Sequence, residues 1–238
     1  VSPRQLVAIP DSLSDGQAAT FMQSYLTGWY ALTVRAGAQA GDTMLVLGAG
    51  SGVGLAAVDI GAALGVRVIA AASTPEKRAL AESRGALATI DNTTLDAAGV
   101  KDAAKAFAAT FDDRADRGGV DLVYDPVGGD LAEQALRSTA WHGRYLVVGF
   151  ASGEIPRFPA NLALLKEASI IGVFWGQWAA VDPAGHIANI REMISLLNEG
   201  KIAPRITATY DLDDYVQAYE DVAGRRITGK TVFKIRQS

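Results

Sequence analysis

Cysteine is absent from this 238-residue chain, which excludes a disulfide framework and any zinc site drawing thiolates from this segment. Zero cysteine fits a reducing compartment, and the expected location is cytoplasmic. Histidine is scarce too. His142 and His186 stand far apart with no thiolate near either, and both read as surface or packing residues. Charge of neither sign dominates: 22 Lys and Arg against 26 Asp and Glu leave a net charge of −4. With a pI near 5.2, there is no electrostatic case for nucleic acid or an anionic membrane. Arg225 and Arg226 form only a local pair, and Asp113, Arg114, Asp116 and Arg117 read as a solvated loop. The uncharged run Thr43–Val58 is too short for a membrane span and is interrupted by glycines. No basic-then-apolar leader opens the chain, and Val1 in place of Met implies that something upstream has been removed. Neither Tyr-x-x-x-Lys nor Gly-x-Ser-x-Gly occurs, so one common acid/base pair and the nucleophile elbow are both missing.

What is present has the balance of a globular core, 49% apolar and 20% charged, which decides against disorder. Leu6–Pro10 reads as a short strand running into a turn. Asp15–Val34 reads as a helix, with Ala19, Met22, Leu26, Trp29, Tyr30 and Leu32 near one face. Thr43–Gly48 and Val66–Ala72 are unbroken apolar runs of the kind buried on both faces of a parallel sheet. Between them lie glycines and an Ala-rich helix reaching about Leu64. Ser73, Pro75 and Glu76 predict a capped helix start, with Ser73 as the cap. The alternation continues through strands at Ala88–Ile90, Val120–Tyr124, Arg144–Phe150 and Ser169–Trp175. Helices are expected at Val100–Phe111, Asp130–Thr139 and His186–Asn198. Such alternation predicts an α/β fold, a doubly wound parallel sheet. Arg205–Tyr210, Asp211–Val222 and Thr231–Ile235 read as strand, helix and strand that do not extend it. With the opening strand they look like pieces of a second domain.

Gly48-Ala-Gly-Ser-Gly-Val-Gly54 lies between a buried strand and a helix. Small residues there let backbone N–H groups and the helix N-terminus approach a pyrophosphate. The strict G-x-G-x-x-G spacing is not met. Aligned on its end, the loop reads Ala49-x-Ser51-x-x-Gly54, small at all three positions. A dinucleotide fold for NAD places an acidic residue at the end of the second strand, to hold the ribose 2′-hydroxyl. Here that end is Ala71-Ala72-Ser73-Thr74, followed by Lys77 and Arg78. An uncharged tip beside cations suits a 2′-phosphate, hence NADP(H).

Two other motifs compete. Gly48-x-Gly50-x-Gly52 with Asp125-Pro126 resembles an S-adenosylmethionine methyltransferase, but that class also carries an acidic second-strand end, and Val-Gly-Gly follows here. Gly224-Arg-Arg-Ile-Thr-Gly-Lys-Thr231 fits the phosphate-loop pattern letter for letter. It follows a helix and opens a strand, the reverse of a true phosphate loop, and so reads as a turn into the last strand.

Several segments together resemble the zinc-independent quinone oxidoreductase, or zeta-crystallin-like, branch of the medium-chain dehydrogenase/reductase superfamily. They are Tyr25-Leu-Thr-Gly-Trp-Tyr-Ala-Leu32, Leu45–Gly54, Gly119–Gly129, Gly143–Gly153 and Gly229-Lys-Thr-Val-Phe233, in the family's order. The resemblance implies a Rossmann domain with remnants of a GroES-like catalytic domain whose N-terminal part is absent. Residues 1–34 would be a catalytic-domain remnant and connecting helix, 35–204 the Rossmann domain, and 205–238 the return to the catalytic domain. It implies Thr27 near the nicotinamide, and Ala49, Gly50, Ser51, Gly52, Val53 and Gly54 on the pyrophosphate. Ser73 and Lys77 would take the 2′-phosphate; Val127, Gly149, Phe150 and Ala151 would line the path from ribose to nicotinamide. Phe174 and Trp175 would approach the nicotinamide or a subunit interface, with core packing as the plain alternative. Gln23 stands where zinc-dependent relatives carry a catalytic cysteine. The implied activity is hydride transfer from NADPH to a quinone or α,β-unsaturated carbonyl, by a homodimer pairing through Ile170–Trp175. An enoyl-thioester reductase and a non-enzymatic cofactor-binding protein are the alternatives.

Overall fold

The computed structural model describes residues 6–111, 118–224 and 226–235. The charged loop Asp113–Arg117 and Arg225 lie outside them. Helix α1 (Asp15–Trp29) starts at a capping box in which Ser14 and Gln17 exchange hydrogen bonds, and it continues as a wider π turn over Tyr30–Arg35. Then follow β1 (Thr43–Val46), α2 (Gly52–Ala63), β2 (Arg67–Ala72), α3 (Pro75–Ser83), β3 (Ala86–Asp91) and α4 (Ala97–Ala109). The second half carries β4 (Val120–Asp125), α5 (Leu131–Arg137), β5 (Thr139–Val147), α6 (Ala160–Lys166) and β6 (Ser169–Gly172). Helices α7 (Trp175–Val181) and α8 (Pro183–Asn198) lead to β7 (Ile206–Asp211), α9 (Tyr215–Ala223) and β8 (Lys230–Lys234).

Six parallel strands form one sheet in the order β3-β2-β1-β4-β5-β6. This is the doubly wound Rossmann arrangement expected from the alternation. Period-2 geometry explains the uniformly apolar strands: Met44, Val46, Val68, Ala70, Leu122 and Tyr124 face one layer, while Leu45, Leu47, Ile69, Ala71 and Val123 face the other. The first layer packs on Leu26, Trp29, Ile60 and Met193, the second on Val100, Ala104 and Leu136. Burying each large side chain contributes roughly 1.5–3 kcal/mol.

Helices α1 and α2 cross closely, since a Cβ on Gly28 would lie 2.8 Å from Ile60 Cδ1. The Tyr25 hydroxyl donates to Asp59 Oδ2 at 2.5 Å, and Arg84 Nε donates to Asp59 Oδ1 at 2.6 Å. Arg84 also reaches the Ala203 carbonyl at 3.0 Å. At the amino end of the sheet, Asp121 accepts from Thr43 N at 2.8 Å and Arg144 pairs with Asp42 at 2.7 Å. These polar side chains hold the amino end of the sheet together.

Several expectations are corrected. Leu6–Pro10 forms no strand, because no neighbouring strand among the described residues pairs with it and Leu6 and Ile9 stay exposed. The expected strand Ser169–Trp175 stops at Gly172, and Trp175 opens a helix. The expected strand Arg144–Phe150 begins earlier, at Thr139, and ends at Val147. There Gly149 turns the chain against the Pro126 carbonyl, 3.2 Å from where its Cβ would be. The α3 cap is Thr74, which accepts from Lys77 N; Ser73 is left at the tip of β2. Helix α6 was not foreseen, being short and presenting exposed Leu164 and Leu165. The tail makes its own two-stranded parallel sheet, β7 with β8.

Candidate functional site

The carboxyl ends of β1, β2, β4, β5 and β6 bring five loops to one edge of the sheet. The strand order reverses between β1 and β4, where this architecture leaves a ligand crevice. Gly48 turns the chain out of β1 with φ of +58°, a conformation open mainly to glycine. Gly54 brings α2 back against it, because a Cβ on Gly54 would lie 2.3 Å from the Gly48 carbonyl oxygen. Ser51 caps α2 by accepting from Gly54 N at 3.0 Å. The first-turn N–H groups of Gly52 and Val53 have no intrahelical partner, and they carry the positive end of the helix dipole.

Two lysine stems cross this loop. A Cβ on Gly50 would fall 2.6 Å from Lys77 Cγ, and one on Gly52 would fall 2.5 Å from Lys230 Cε. Lys77 arrives from the first turn of α3 and Lys230 from the start of β8. The turn before β8 docks on the loop itself: Gly229 N donates to the Gly50 carbonyl at 2.9 Å, and Ser51 and Gly229 form a bridge. Lys230 Nζ donates to Gln23 Oε1 at 3.2 Å. Partial burial lowers the Lys230 pKa from its ordinary value.

Sequence reasoning rightly took the Gly-Lys-Thr segment for a turn into the last strand, but it missed Lys230 as a neighbour of the glycine loop. Only the β7–β8 pairing puts it there.

Ser73 is half-buried at the tip of β2. Arg78, one residue beyond Lys77, turns away: it donates to the Ala72 carbonyl at 3.1 Å and pairs with Asp91 at 2.9 Å. Asp125, weighed above as part of a methyltransferase motif, is buried and saturated. It accepts from Val127 N at 2.7 Å, from Gly128 N at 2.9 Å and from the Tyr145 hydroxyl. This pins the β4 loop so that Val127 leans over Gly48. Beyond β5 the chain runs beside that loop, with Ala151 N donating to Pro126 O at 3.1 Å. Gly149 is half-buried there, while Phe150 and Ala151 are exposed.

Thr27 sits half-buried on the last turn of α1. Phe174 is 74% exposed. Trp175 turns inward, its ring 5.6 Å from His186. His186 lies between Trp175 and Trp178 as a packing residue, and burial lowers its pKa. His142 stays at the surface, 3.5 Å from Glu167. The described residues contain no group of three or more His, Cys, Asp or Glu able to hold a metal.

Residues 52–199 match the family described as zinc-binding dehydrogenase. A quinone oxidoreductase-like protein 2 homolog of Nematostella vectensis is 38% identical over 96% of this chain, which spans 60% of that relative. A quinone oxidoreductase of Pseudomonas aeruginosa is 32% identical, with 98% of this chain covering 68% of it. Among solved structures, a mycobacterial protein complexed with NADPH superposes with a TM-score of 0.83 at 27% identity. That match covers 95% of this chain and 66% of the other.

Proposed function

Because the chain belongs to the zinc-binding dehydrogenase family and, within the medium-chain dehydrogenase/reductases, to the quinone oxidoreductase branch, we propose that it binds NADP(H) and is the cofactor-holding part of an NADPH-dependent reductase. One observation carries this reading: two lysine stems converge on the glycine loop at the N-terminus of α2, while the tip of β2 bears no carboxylate. The site's glycines form a cradle that any Cβ would fill. In this reading Ala49–Gly54 and Lys230 take the pyrophosphate, and Ser73 with Lys77 takes the 2′-phosphate. Val127 and Gly149–Ala151 flank the ribose path, with Thr27 and Phe174 toward the nicotinamide. Trp175 packs the corner that presents Phe174.

The family's name raises zinc, and the donor set does not fit it. The chain has no cysteine, Gln23 stands at the position of the zinc-dependent relatives' cysteine, and Gln23 accepts from Lys230. The proposed chemistry is therefore zinc-independent. Bound NADPH supplies a hydride to an electron-poor acceptor, a quinone or enone, and a solvent proton completes the reduction. The chain's part is to fix the dinucleotide against the strand ends.

Parallel titration with NADPH and NADH, followed by fluorescence, tests the cofactor site. NADPH should bind more tightly, and binding of neither would sink the reading. NADPH oxidation with a quinone, set against an enoyl thioester, identifies the acceptor, and a chelator should leave the rate unchanged. A thioester preferred over quinones would move the assignment to the enoyl-thioester reductases.

A further inference from the structure

The consecutive cations Lys77 and Arg78 diverge. Lys77 lays its stem on Gly50, while Arg78 folds back along the tip of β2 toward Asp91. Asp91 ends β3 directly beside Ala72, its partner in register and the last residue of β2. Ser73 follows Ala72, so the Arg78–Asp91 pair stands within a residue of the place where dinucleotide folds discriminate the 2′-position. The two carboxylate oxygens of Asp91 divide their work. Oδ1 accepts from Thr93 N at 2.9 Å and from Thr93 Oγ1 at 2.6 Å, and also from Thr94 N at 3.4 Å. Oδ2 holds Arg78 at 2.9 Å. The side chains of Arg78 and Asp91 are only 18% and 26% exposed, so solvent screens the pair incompletely.

We propose that Asp91 is a specificity-determining residue: by holding Arg78 it withholds a second cation from the 2′-phosphate and keeps the site open to the non-phosphorylated dinucleotide. This rests on the NADP(H) reading above. The charges explain the effect. With the pair closed, the charges of Arg78 and Asp91 cancel, and Arg78 brings no net charge to the phosphate. With the Asp91 charge gone, Arg78 can offer its planar fork to phosphate oxygens. NADH, which has no 2′-phosphate, gains nothing from the release.

The test is Asp91→Asn, which keeps Oδ1 as the acceptor for the Thr93 turn and removes the anion facing Arg78. Dissociation constants for NADPH and NADH are measured on wild type, D91N and the double variant D91N/R78M, with thermal midpoints confirming that each is folded. NADPH should bind D91N about tenfold more tightly, the gain of a charge-assisted contact, with NADH unchanged and the gain lost in the double variant. An unchanged NADPH-to-NADH ratio in D91N would overturn the proposal. So would a gain that survives in D91N/R78M, since simple repulsion by Asp91 would then explain it. Wild type that binds neither dinucleotide would instead bring down the cofactor reading, and this proposal with it.

Discussion

A lysine stem laid along backbone keeps its ammonium partly out of water, and that changes when the cation is available. Partial burial lowers the Lys230 pKa, so the positive charge is present below that pKa and disappears as pH rises through it. NADPH affinity should therefore fall on the alkaline side at a pH below the ordinary lysine value of about 10.4. Replacing Lys230 by Met should weaken NADPH binding about tenfold or more and remove that alkaline limb. Fluorescence titrations from neutral to alkaline pH check both, and an identical limb in wild type and K230M would reject the role. At this scale the sequence was partly legible. The glycine loop announced itself because its backbone requirements exclude other residues, as at Gly48 and Gly54. The choice of cap between Ser73 and Thr74 did not, because both side chains can cap and only the backbone geometry decides.

Strands buried on both faces were easy to find, since nothing but a run such as Thr43–Val46 or Val120–Asp125 satisfies two apolar layers. Edges were harder. β6 sits at the end of the sheet, with Ser169, Ile170 and Gly172 exposed, and composition alone could not show that the apolar run breaks at Gly172. An exposed apolar edge strand invites pairing, and the proposed homodimer uses it. Ile170→Lys should then shift the chain from dimer to monomer in light scattering at micromolar concentration. Monomeric wild type would end the dimer proposal. The short α6 escaped notice for a related reason: only Leu162 on it is buried, too little to impose a helical period on the sequence.

Over the whole molecule, one carboxylate ties distant segments together. Asp59 on α2 receives Tyr25 from α1 and Arg84 from the turn after α3, and Arg84 in turn grips the Ala203 carbonyl ahead of β7. Arg84→Met would leave the Asp59 carboxylate buried without its countercharge and with only the Tyr25 hydroxyl as a side-chain donor, a loss of up to about 3–5 kcal/mol, and D59N/R84M should recover part of it. Burial raises the Asp59 pKa, against the opposing pull of Arg84 and Tyr25. A carboxyl whose folded pKa is raised favours the folded state less as pH climbs from the unfolded value through the folded one. The R84M deficit should thus widen from acid to neutral pH, as urea denaturation at both would reveal; an equal deficit at the two would count against an ionised Asp59. No residue pattern forecast this clasp, because its three side chains are far apart in sequence and each alone reads as ordinary.

The docking of Gly229 on Gly50 bears on the order in which the protein is made. Synthesis delivers the glycine loop long before the turn that seats on it. The six-stranded sheet can close before β8 exists, as domains form from the N-terminal side during translation. A nascent chain would then hold a glycine loop without its Lys230 neighbour, and the proposed cofactor site would stay incomplete until β8 has been made.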